Sequence, residues 1–573
     1  MDIKKKISKL SWLRNRVIGR NKRIITPFGK RPLIYSDYTA SGRSVDFIED
    51  YLKYLMQFYA NTHTKDDFTG KTMTERLHKA ELRIKELVNA GEHGRIIFSG
   101  TGATGGITRL QQILGVYWSP STQNRMMDFI DQCEDPEEAE KLRNYIKAHQ
   151  PVVFVSPYEH HSNEIMWRHT VCDVVEVPME PDGYLDIEAL DELLADEKYK
   201  ERDKIGSFSA ASNVTGIRTP VYEVARTLHR HDAIACFDFA ACAPYVEIDM
   251  NKDDEAYFDA IFLSPHKFLG GPGSSGLLIF NEKIYHKELP PTVSAGGTVM
   301  FVNFKKEVFT ENIEEREKPG TPGIIQDIKA ALAFELKDRV GIENIEEIEK
   351  YYLEKFQKAF QDNDNMLLYG PQNPDKKINI IPFNIKHQDR WLHPKFVTRL
   401  LNDLFGIQTR AGCLCAGPYG HRLLNIDEEL SEKYLHILQS RGFSGIKPGW
   451  VRLNMHYTLS KQEFDYIVRA IRFIIDNGAK FLPFYQFNIK TGAWSNLNEP
   501  GKIDLMDHDL DEIINNNATF RNELESANPK PDFDKILDQA NTIAEDLQEP
   551  QEFITFDKEV EDVSVFYVCN LKE

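Results

Sequence analysis

Cysteine is scarce and irregularly placed in this sequence. The 573-residue chain has seven cysteines, at positions 133, 172, 236, 242, 413, 415 and 569. An odd number without regular spacing does not resemble the disulfide framework of a small secreted protein. We therefore expect free thiols, a reducing compartment and a cytoplasmic location. Each thiol is then either a small buried side chain or a reactive group, and its surroundings decide which.

Long hydrophobic runs and an excess of positive charge are also lacking. No stretch approaches the roughly 18 apolar residues that a membrane helix requires, and the net charge is −18. This acidity argues against a nucleic acid or an anionic membrane surface as partner. Residues 1–32 form a basic arm without the apolar run of a secretory signal. We expect neither a membrane nor a nucleic acid as partner.

Seven short apolar runs of the kind that form buried parallel strands alternate with amphipathic helical patterns. The runs lie at 95–100, 151–157, 174–179, 205–212, 233–239, 260–265 and 275–280. Apolar residues at helical spacing occur at 74–90 and 220–232. This alternation favours an α/β fold with a mostly parallel central sheet covered by helices.

The pattern divides the chain into four parts. After the basic arm, residues 33–324 are predicted to form a large domain with a charged helical insert at about 123–149. Residues 325–485 contain long helical patterns followed by strand candidates, which predicts a smaller α+β domain. Residues 486–573 form an acidic C-terminal extension in which no catalytic motif is evident.

Lys267 lies in the segment with the strongest chemical signal, SPHKFLGGPGSSGLL at 264–278. A lysine between a strand and a glycine-rich turn lies at the carboxyl edge of the sheet, where open α/β folds bind ligands. Burial or neighbouring cations would lower the pKa of its amine and make it a nucleophile. Most lysines are surface groups, so a catalytic role requires partners at the same edge.

Three further segments follow strands at this edge. Asp238, in FDFAACAPY, offers a carboxylate, although helix capping is the alternative. SGTGATGG at 99–106 places small residues at a helix N-terminus, which suits an anion. EHHSN at 159–163 brings an imidazole, although structural histidines are more common. The glycines approach a dinucleotide-binding fingerprint, but no acidic residue ends a second strand at the required distance.

Seven short motifs occur in the order of a known family: TGAT, EHHSN, SNVTG, DFAA, SPHK, EREKPGTP and RAGCLCAGP. From about residue 33 to 476 the chain resembles the class V aminotransferase fold of pyridoxal-phosphate (PLP) enzymes. It is most similar to the branch of cysteine desulfurases and selenocysteine lyases. The resemblance implies the PLP-dependent transferase fold type I, PLP as cofactor, and a homodimer with composite active sites.

The resemblance also implies roles for residues around the cofactor. Lys267 would bind PLP as a Schiff base and carry the proton of the 1,3-shift. Asp238 would pair with the pyridinium nitrogen, and His160 would stack on the ring. The phosphate would be held by Ala103, Thr104, Ser264, His266 and, from the neighbouring subunit, Thr321.

At the substrate end, the resemblance places Asn213 near the cofactor hydroxyl and the substrate carboxylate. Arg410 would bind that carboxylate with its planar guanidinium. Cys415 lies five residues after Arg410, where the desulfurase branch carries its sulfur-accepting nucleophile. Two alternatives stay open: an inert structural cysteine, or a redox pair with Cys413. Two cysteines without further Cys or His clustering do not make a metal site, so no metal is expected.

The sequence departs from the family pattern at three places. Ala241 stands where the family has Gln or His bonded to the phenolic oxygen of PLP. Leu414 stands where the family has His before the cysteine, and no Asn follows GTP in EREKPGTPG. Because alanine offers no side-chain hydrogen bond, the substrate of the family branch does not transfer automatically to this chain.

The leading hypothesis is a PLP-dependent cysteine desulfurase or selenocysteine lyase. Such an enzyme releases alanine and passes sulfur or selenium to Cys415, and then to an acceptor protein. The second hypothesis is a class V aminotransferase, epimerase or β-lyase that acts on another amino acid. The third is a degenerate PLP-fold scaffold. Loss of Cys415 distinguishes the first two, because only sulfur or selenium transfer requires that group.

Overall fold

The structure is a computed structural model that describes residues 3–62, 64–100, 102–412, 415–499, 509–516 and 529–572. Cys413 and Leu414, on which two predictions fall, lie outside these ranges, as does Thr101 of the TGAT motif. Within the described ranges, no helix is both long and apolar enough to cross a membrane. The same residues contain no group of three or more His, Cys, Asp or Glu side chains placed to hold a metal ion.

The N-terminal residues pack against the rest of the chain. Their elements are α1 (Ile3–Lys9), α2 (Ser11–Arg14), β1 (Arg23–Thr26), β2 (Gly29–Pro32), β3 (Ile34–Tyr35), α3 (Asp46–Leu55) and α4 (Phe68–Leu87). The buried guanidinium of Arg14 donates to the carbonyl oxygens of Thr458 at 2.6 Å and Leu459 at 3.0 Å. The basic arm is thereby attached to the C-terminal half of the chain.

A seven-stranded sheet forms the centre of the fold. Its strands are β4 (Gly94–Ser99), β5 (Val152–Val155), β6 (Asp173–Glu176), β7 (Lys204–Ser209), β8 (Ile234–Asp238), β9 (Ala260–Leu263) and β10 (Gly276–Asn281). They lie in the order β4-β10-β9-β8-β7-β5-β6; β10 runs antiparallel to both of its neighbours, and the pairs from β9 to β6 are all parallel. Each predicted apolar run forms one of them, which confirms the α/β fold class.

Both faces of the sheet are covered, which explains why its strands are apolar throughout rather than alternating. Along β5, Phe154 belongs to one hydrophobic cluster, while Val153 and Val155 belong to another on the opposite face. The covering segment contains α5 (Gly102–Ile113), α6 (Pro120–Asp131), α7 (Pro136–His149), α8 (Ile165–Arg168), α9 (Ile187–Ala195) and α10 (Val221–Arg230). The charged insert of the sequence corresponds to α6 and α7.

The chain continues through a hairpin into a second, antiparallel sheet. The elements up to that sheet are β11 (Val299–Val302), β12 (Glu307–Phe309), α11 (Ile313–Arg316), α12 (Ile324–Val340) and α13 (Ile342–Phe360). The next are β13 (Met366–Leu368), β14 (Ile381–His387), β15 (Arg390–Trp391), α14 (Pro394–Phe405), β16 (Ile407–Gln408), β17 (Arg410–Gly412), α15 (Gly417–Leu423), α16 (Glu428–Arg441), β18 (Trp450–Leu453) and α17 (Lys461–Asn477). The sheet has the order β13-β14-β18-β17, with β15 paired to β14.

The C-terminal extension packs on this second unit. Its described elements are β19 (Tyr485–Asn488), β20 (Ala493–Asn496), α18 (Leu510–Asn515), α19 (Phe533–Glu545) and α20 (Lys558–Glu561). The ring of Phe533 stacks on Tyr466 of α17 at 4.4 Å, and Phe566 meets His393 edge-on at 4.5 Å. Residues beyond 529 therefore contribute to a packed core. The division of the chain into four domains stays a prediction.

Short 3-10 turns complete the described elements. They are Met56–Phe58, His161–Asn163, Glu197–Tyr199, Pro265–Lys267, Glu282–Ile284, Pro374–Lys376, Ser444–Ile446 and Gly478–Phe484. Two of these turns, His161–Asn163 and Pro265–Lys267, follow the carboxyl ends of β5 and β9. They carry residues that the sequence analysis singles out, so the site is expected at this edge of the sheet.

Candidate active site

A pocket of about 190 Å³ lies at the carboxyl ends of β4, β5, β7, β8 and β9. Parallel strands bring their carboxyl ends to one edge, so segments that are distant in sequence meet there. Eight residues predicted from the sequence line the pocket together: Ala103, Thr104, His160, Asn213, Asp238, Ser264, His266 and Lys267. Arg410, Cys415 and Thr321 do not line it.

Lys267 and Asp238 are the ionisable pair of this pocket. Lys267 ends the 3-10 turn after β9, and Asp238 is the last residue of β8. Burial lowers the pKa of the Lys267 amine, although the charge of Asp238 acts in the opposite direction. Burial raises the pKa of Asp238, whose Oδ1 accepts a hydrogen bond from Ala240 N at 2.8 Å. The lowered pKa increases the fraction of the lysine that is neutral and nucleophilic.

The N-terminus of α5 forms one wall of the pocket. Gly102 has a φ of +62°, and a Cβ atom there would lie 2.8 Å from Ser264 Oγ. Ser264 Oγ accepts a hydrogen bond from Ala103 N at 2.9 Å, and Thr104 Oγ1 lies 2.7 Å from Ser162 Oγ. Backbone N–H groups and hydroxyls at a helix N-terminus make a site for an anion such as a phosphate group.

Two uncharged imidazoles border the lysine. His160 Nδ1 accepts a hydrogen bond from Ser162 N at 3.1 Å, which leaves the proton on Nε2. Burial lowers the pKa of His160 to about 4, and the charge of Lys267 adds to this effect. Burial likewise lowers the pKa of His266 to about 4, and its Nδ1 lies 3.3 Å from Ser41 Oγ. At neutral pH both rings can approach Lys267 without charge repulsion.

Glu159, a residue not singled out from the sequence, supports the backbone beside His160. Its carboxyl group accepts hydrogen bonds from Ser209 N at 2.7 Å, Ser209 Oγ at 2.6 Å and Asn163 Nδ2 at 2.8 Å. Burial raises its pKa to about 7 despite these donors. The group ties the end of β5 to the end of β7. Its position directly before the histidine pair was the signal available in the sequence.

Arg452 is a second residue that the motifs did not reveal. It lies in β18 directly opposite Arg410 of β17. Arg452 Nη1 donates to the carbonyl oxygen of Asn213 at 3.1 Å, and Nη2 pairs with Asp37 at 2.9 Å. Arg452 is 4% exposed, whereas Arg410 is exposed. The buried guanidinium next to the pocket residue Asn213 is therefore that of Arg452.

The loop that carries Cys415 is fastened to the segment that carries His160. His161 N donates to the carbonyl oxygen of Cys415 at 2.9 Å, and Gly417 N donates to His161 Nε2 at 3.0 Å. Cys415 has a left-handed φ of +61° and an exposed side chain. A single histidine thus bonds to the backbone of Cys415 itself and to that of Gly417, two residues later.

Replacing His161 with alanine is expected to loosen this loop. The substitution removes the acceptor of the Gly417 N–H, and a net hydrogen bond of about 0.5–1.5 kcal/mol corresponds to about two- to tenfold faster amide exchange. Hydrogen exchange of the peptide that contains Gly417 measures the effect. His169→Ala, at an exposed histidine after α8, is the matched control. Equal exchange in both variants would contradict the role of His161.

Two further positions from the sequence analysis, Thr321 and Ala241, differ in their relation to the pocket. Thr321 is exposed, and its Oγ1 accepts a hydrogen bond from Asn61 Nδ2 at 3.0 Å. Ala241 lines the pocket, so the departure from the family pattern lies inside the site itself. An alanine there leaves the pocket without the side-chain hydrogen bond that Gln or His would supply.

Curated relatives with similar sequences are cysteine desulfurases. The chain is 27% identical over 392 residues to a probable cysteine desulfurase from Halalkalibacterium halodurans, covering 68% of this chain and 85% of the relative. It is 25% identical over 393 residues to a cysteine desulfurase from Shigella sonnei, covering 68% and 85%.

Solved structures share the fold. An apo cysteine desulfurase from Thermococcus onnurineus matches with a TM-score of 0.61 at 21% identity, covering 78% of this chain and 95% of that one. An Escherichia coli cysteine desulfurase in its S-sulfonic acid form matches with a TM-score of 0.58 at 19% identity, covering 77% and 94%. The family described as aminotransferase class-V matches residues 139–457, more than half of the sequence. The chain therefore belongs to the class V aminotransferase family.

Proposed function

We propose that this protein is a PLP-dependent cysteine desulfurase that releases alanine from L-cysteine and retains the sulfur on Cys415. The observation that carries the proposal is the attachment of the Cys415 loop, through His161, to the segment that brings His160 into the Lys267 pocket. An amine, a carboxyl group and a thiol-bearing loop are thus associated at one edge of the sheet. The curated relatives support the same reaction.

The donor set of the pocket fits PLP. The amine of Lys267 would form a Schiff base with the aldehyde of PLP, and the carboxyl group of Asp238 would pair with the ring nitrogen. The N-terminus of α5 would bind the phosphate group. The close approach of Gly102 to Ser264 keeps that N-terminus free of a side chain. When bound, PLP withdraws electrons from the α-carbon of an amino acid. We assign the remaining steps to side chains of this chain.

Proton transfer belongs to Lys267. Burial lowers the pKa of its amine, so the neutral form is available to take the α-proton and to return it. His160 stays uncharged and covers the pocket with its Nε2 proton available for donation. Arg452 and Arg410 lie opposite each other on adjacent strands, where their guanidinium groups suit the carboxylate of the substrate.

Sulfur transfer belongs to Cys415. Its thiolate attacks the γ-sulfur of the bound cysteine, so that a new S–S bond forms while the Cβ–S bond breaks. The electron pair of the broken bond, together with a proton, stays with the carbon skeleton, which leaves as alanine. Cys415 then holds the sulfur as a persulfide. Its exposed side chain suits onward transfer to a sulfur-acceptor protein.

A second candidate function also depends on PLP but does not involve the thiol of Cys415. Cys415 does not line the pocket, and Ala241 inside the pocket departs from the family pattern. Both observations favour an aminotransferase, epimerase or β-lyase that acts on another amino acid. L-selenocysteine is a further substrate candidate for the leading proposal, because selenium at the γ-position is attacked in the same way.

The test is turnover of L-cysteine by the protein purified with PLP. We expect equal amounts of alanine and, in the presence of a reducing thiol, sulfide. Parallel reactions with L-selenocysteine and L-alanine separate selenium release from transamination. Turnover of other amino acids without sulfide would support the second candidate and contradict the first. A protein with neither a visible cofactor band nor turnover would instead be a scaffold.

A homodimer with composite active sites is part of the proposal. Thr321 is exposed outside the pocket, as expected of a residue that serves a neighbouring subunit. The nearby β11–β12 hairpin exposes Met300, Phe301 and Phe304, which suits burial against a second copy. Sedimentation velocity, which distinguishes a monomer from a dimer, tests this part of the proposal.

The location of the protein is the last part of the proposal. The cysteines that the structure describes at 133, 172, 236, 242, 415 and 569 are free, which supports a reducing compartment such as the cytoplasm.

A further inference from the structure

A second cleft lies between the large sheet domain and α13. It has a volume of about 190 Å³ and shares no lining residue with the active-site pocket. Tyr245 and Arg218 contribute one wall, and α13 contributes the other together with residues 374, 375 and 377–379. One water molecule requires only ~10–15 Å³ of such space, so the cleft can admit a small molecule.

Lys377 lines this cleft without a partner. It is 6% exposed, and its amine makes no hydrogen bond or ion pair with any residue in the described ranges. Burial lowers the pKa of Lys377 to about 8, so most of the amine is still protonated at pH 7. A buried charge is unfavourable unless an opposite charge or hydrogen-bond acceptors compensate it.

Two further groups at the cleft act as donors. Tyr245 is 3% exposed, and its buried hydroxyl has no hydrogen-bond partner among the described residues. Glu349 accepts a hydrogen bond from Tyr457 N at 3.2 Å through one oxygen. Burial raises the pKa of Glu349 well above its usual range, which favours its neutral, proton-donating form. The amine of Lys377 and the hydroxyl of Tyr245 are therefore donors without an acceptor among the described residues.

The acidic residues at the rim do not compensate Lys377, because each already pairs with another cation. The pairs are Arg218–Glu346 at 3.1 Å, Lys6–Glu347 at 2.8 Å and Lys350–Asp375. With these charges cancelled and Glu349 neutral, the cleft retains the single positive charge of Lys377. An oxygen-rich anion matches both this charge and the hydroxyl of Tyr245.

We propose that this cleft binds a small oxyanion, either inorganic phosphate or the carboxylate of a small organic acid, with Lys377 as its main ligand and Tyr245 as a second donor. The site is independent of the proposed desulfurase activity. Backbone hydrogen bonds run from Arg218 N to the carbonyl oxygen of Lys376 at 2.9 Å and from Ile378 N to that of Gly216 at 2.8 Å. A bound anion would therefore stabilise the contact between the two parts of the chain.

The experiment compares Lys377→Met with Lys376→Met in the full chain purified with its cofactor. Both variants lose one positive charge, but Lys376 is exposed and does not line the cleft. Calorimetric titrations with inorganic phosphate and with malonate at pH 7 distinguish the two sources of the anion. We expect wild type and Lys376→Met to bind at least one of them, and Lys377→Met to bind it at least about tenfold more weakly.

Tyr245→Phe is a second variant that removes only the hydroxyl, and a smaller loss of affinity is expected from it. Thermal unfolding adds an independent measurement. The anion should raise the unfolding temperature of wild type and Lys376→Met, but not that of Lys377→Met. Equal binding by Lys376→Met and Lys377→Met, or no binding of either anion by wild type, overturns the proposal. Both results are independent of cysteine turnover, so failure here leaves the proposed function intact.

Discussion

Replacing Lys267 with alanine is expected to abolish both cofactor retention and turnover. The amine is the only group in the proposal that both reacts with PLP and moves the α-proton, and burial lowers its pKa for these tasks. We expect turnover of L-cysteine to fall about 10³-fold or more, in line with the loss of general acid–base catalysis. The visible absorbance band of the purified protein and its rate of alanine release measure the two effects.

Lys267→Arg is the matched control for side-chain size. It keeps a long basic side chain beside Asp238 but removes the nucleophilic amine, because a guanidinium does not lose its proton in proteins. We expect this variant to be as inactive as Lys267→Ala while retaining wild-type circular dichroism. Full activity in either variant would show that Lys267 is not the reacting amine.

Replacing Cys415 with serine is expected to separate sulfur transfer from cofactor binding. Cys415 lies outside the Lys267 pocket, so the visible cofactor band should remain. Alanine release from L-cysteine should fall to background, because a hydroxyl is a far weaker nucleophile than a thiolate towards sulfur. Mass spectrometry after a single turnover should find a protein-bound sulfur atom in wild type and none in Cys415→Ser.

Two cysteine variants serve as controls for this result. Cys133 is exposed like Cys415 but lies in the helical insert between α6 and α7, so Cys133→Ser should leave activity unchanged. Cys413→Ser tests the redox-pair alternative, which requires both thiols. If Cys415→Ser retains alanine release, the desulfurase proposal fails and the thiol-independent candidate replaces it.

The strands of the central sheet and most of the predicted pocket residues follow from local sequence, whereas the order of the strands does not. Strands such as β5 and β9 are buried along their whole length, so they appear as continuous apolar runs. Residues just after such runs lie at one edge of a parallel sheet. That rule places Asp238, Lys267 and the EHHSN segment at the same edge, and the motif order of the family singles out His160, Ala103 and Thr104, which line the same pocket.

Other parts of the site depend on contacts between residues far apart in the chain. The choice between two arginines is decided by strand register, since Arg410 and Arg452 lie opposite each other but only Arg452 is buried beside Asn213. No motif marks Arg452, because its neighbours in sequence are ordinary strand residues.

For Lys267, the sequence by itself determined its place after a strand, beside a glycine-rich turn and in a family pattern. Only the tertiary structure decided the burial of Asp238, the lowered pKa of His160 and the attachment of the cysteine loop through His161. The same distinction applies to Lys377, whose sequence context carries no signal. Its burial in a cleft without a described partner for its amine arises only on folding, because the burial of a side chain and its ion pairs depend on contacts between distant parts of the chain.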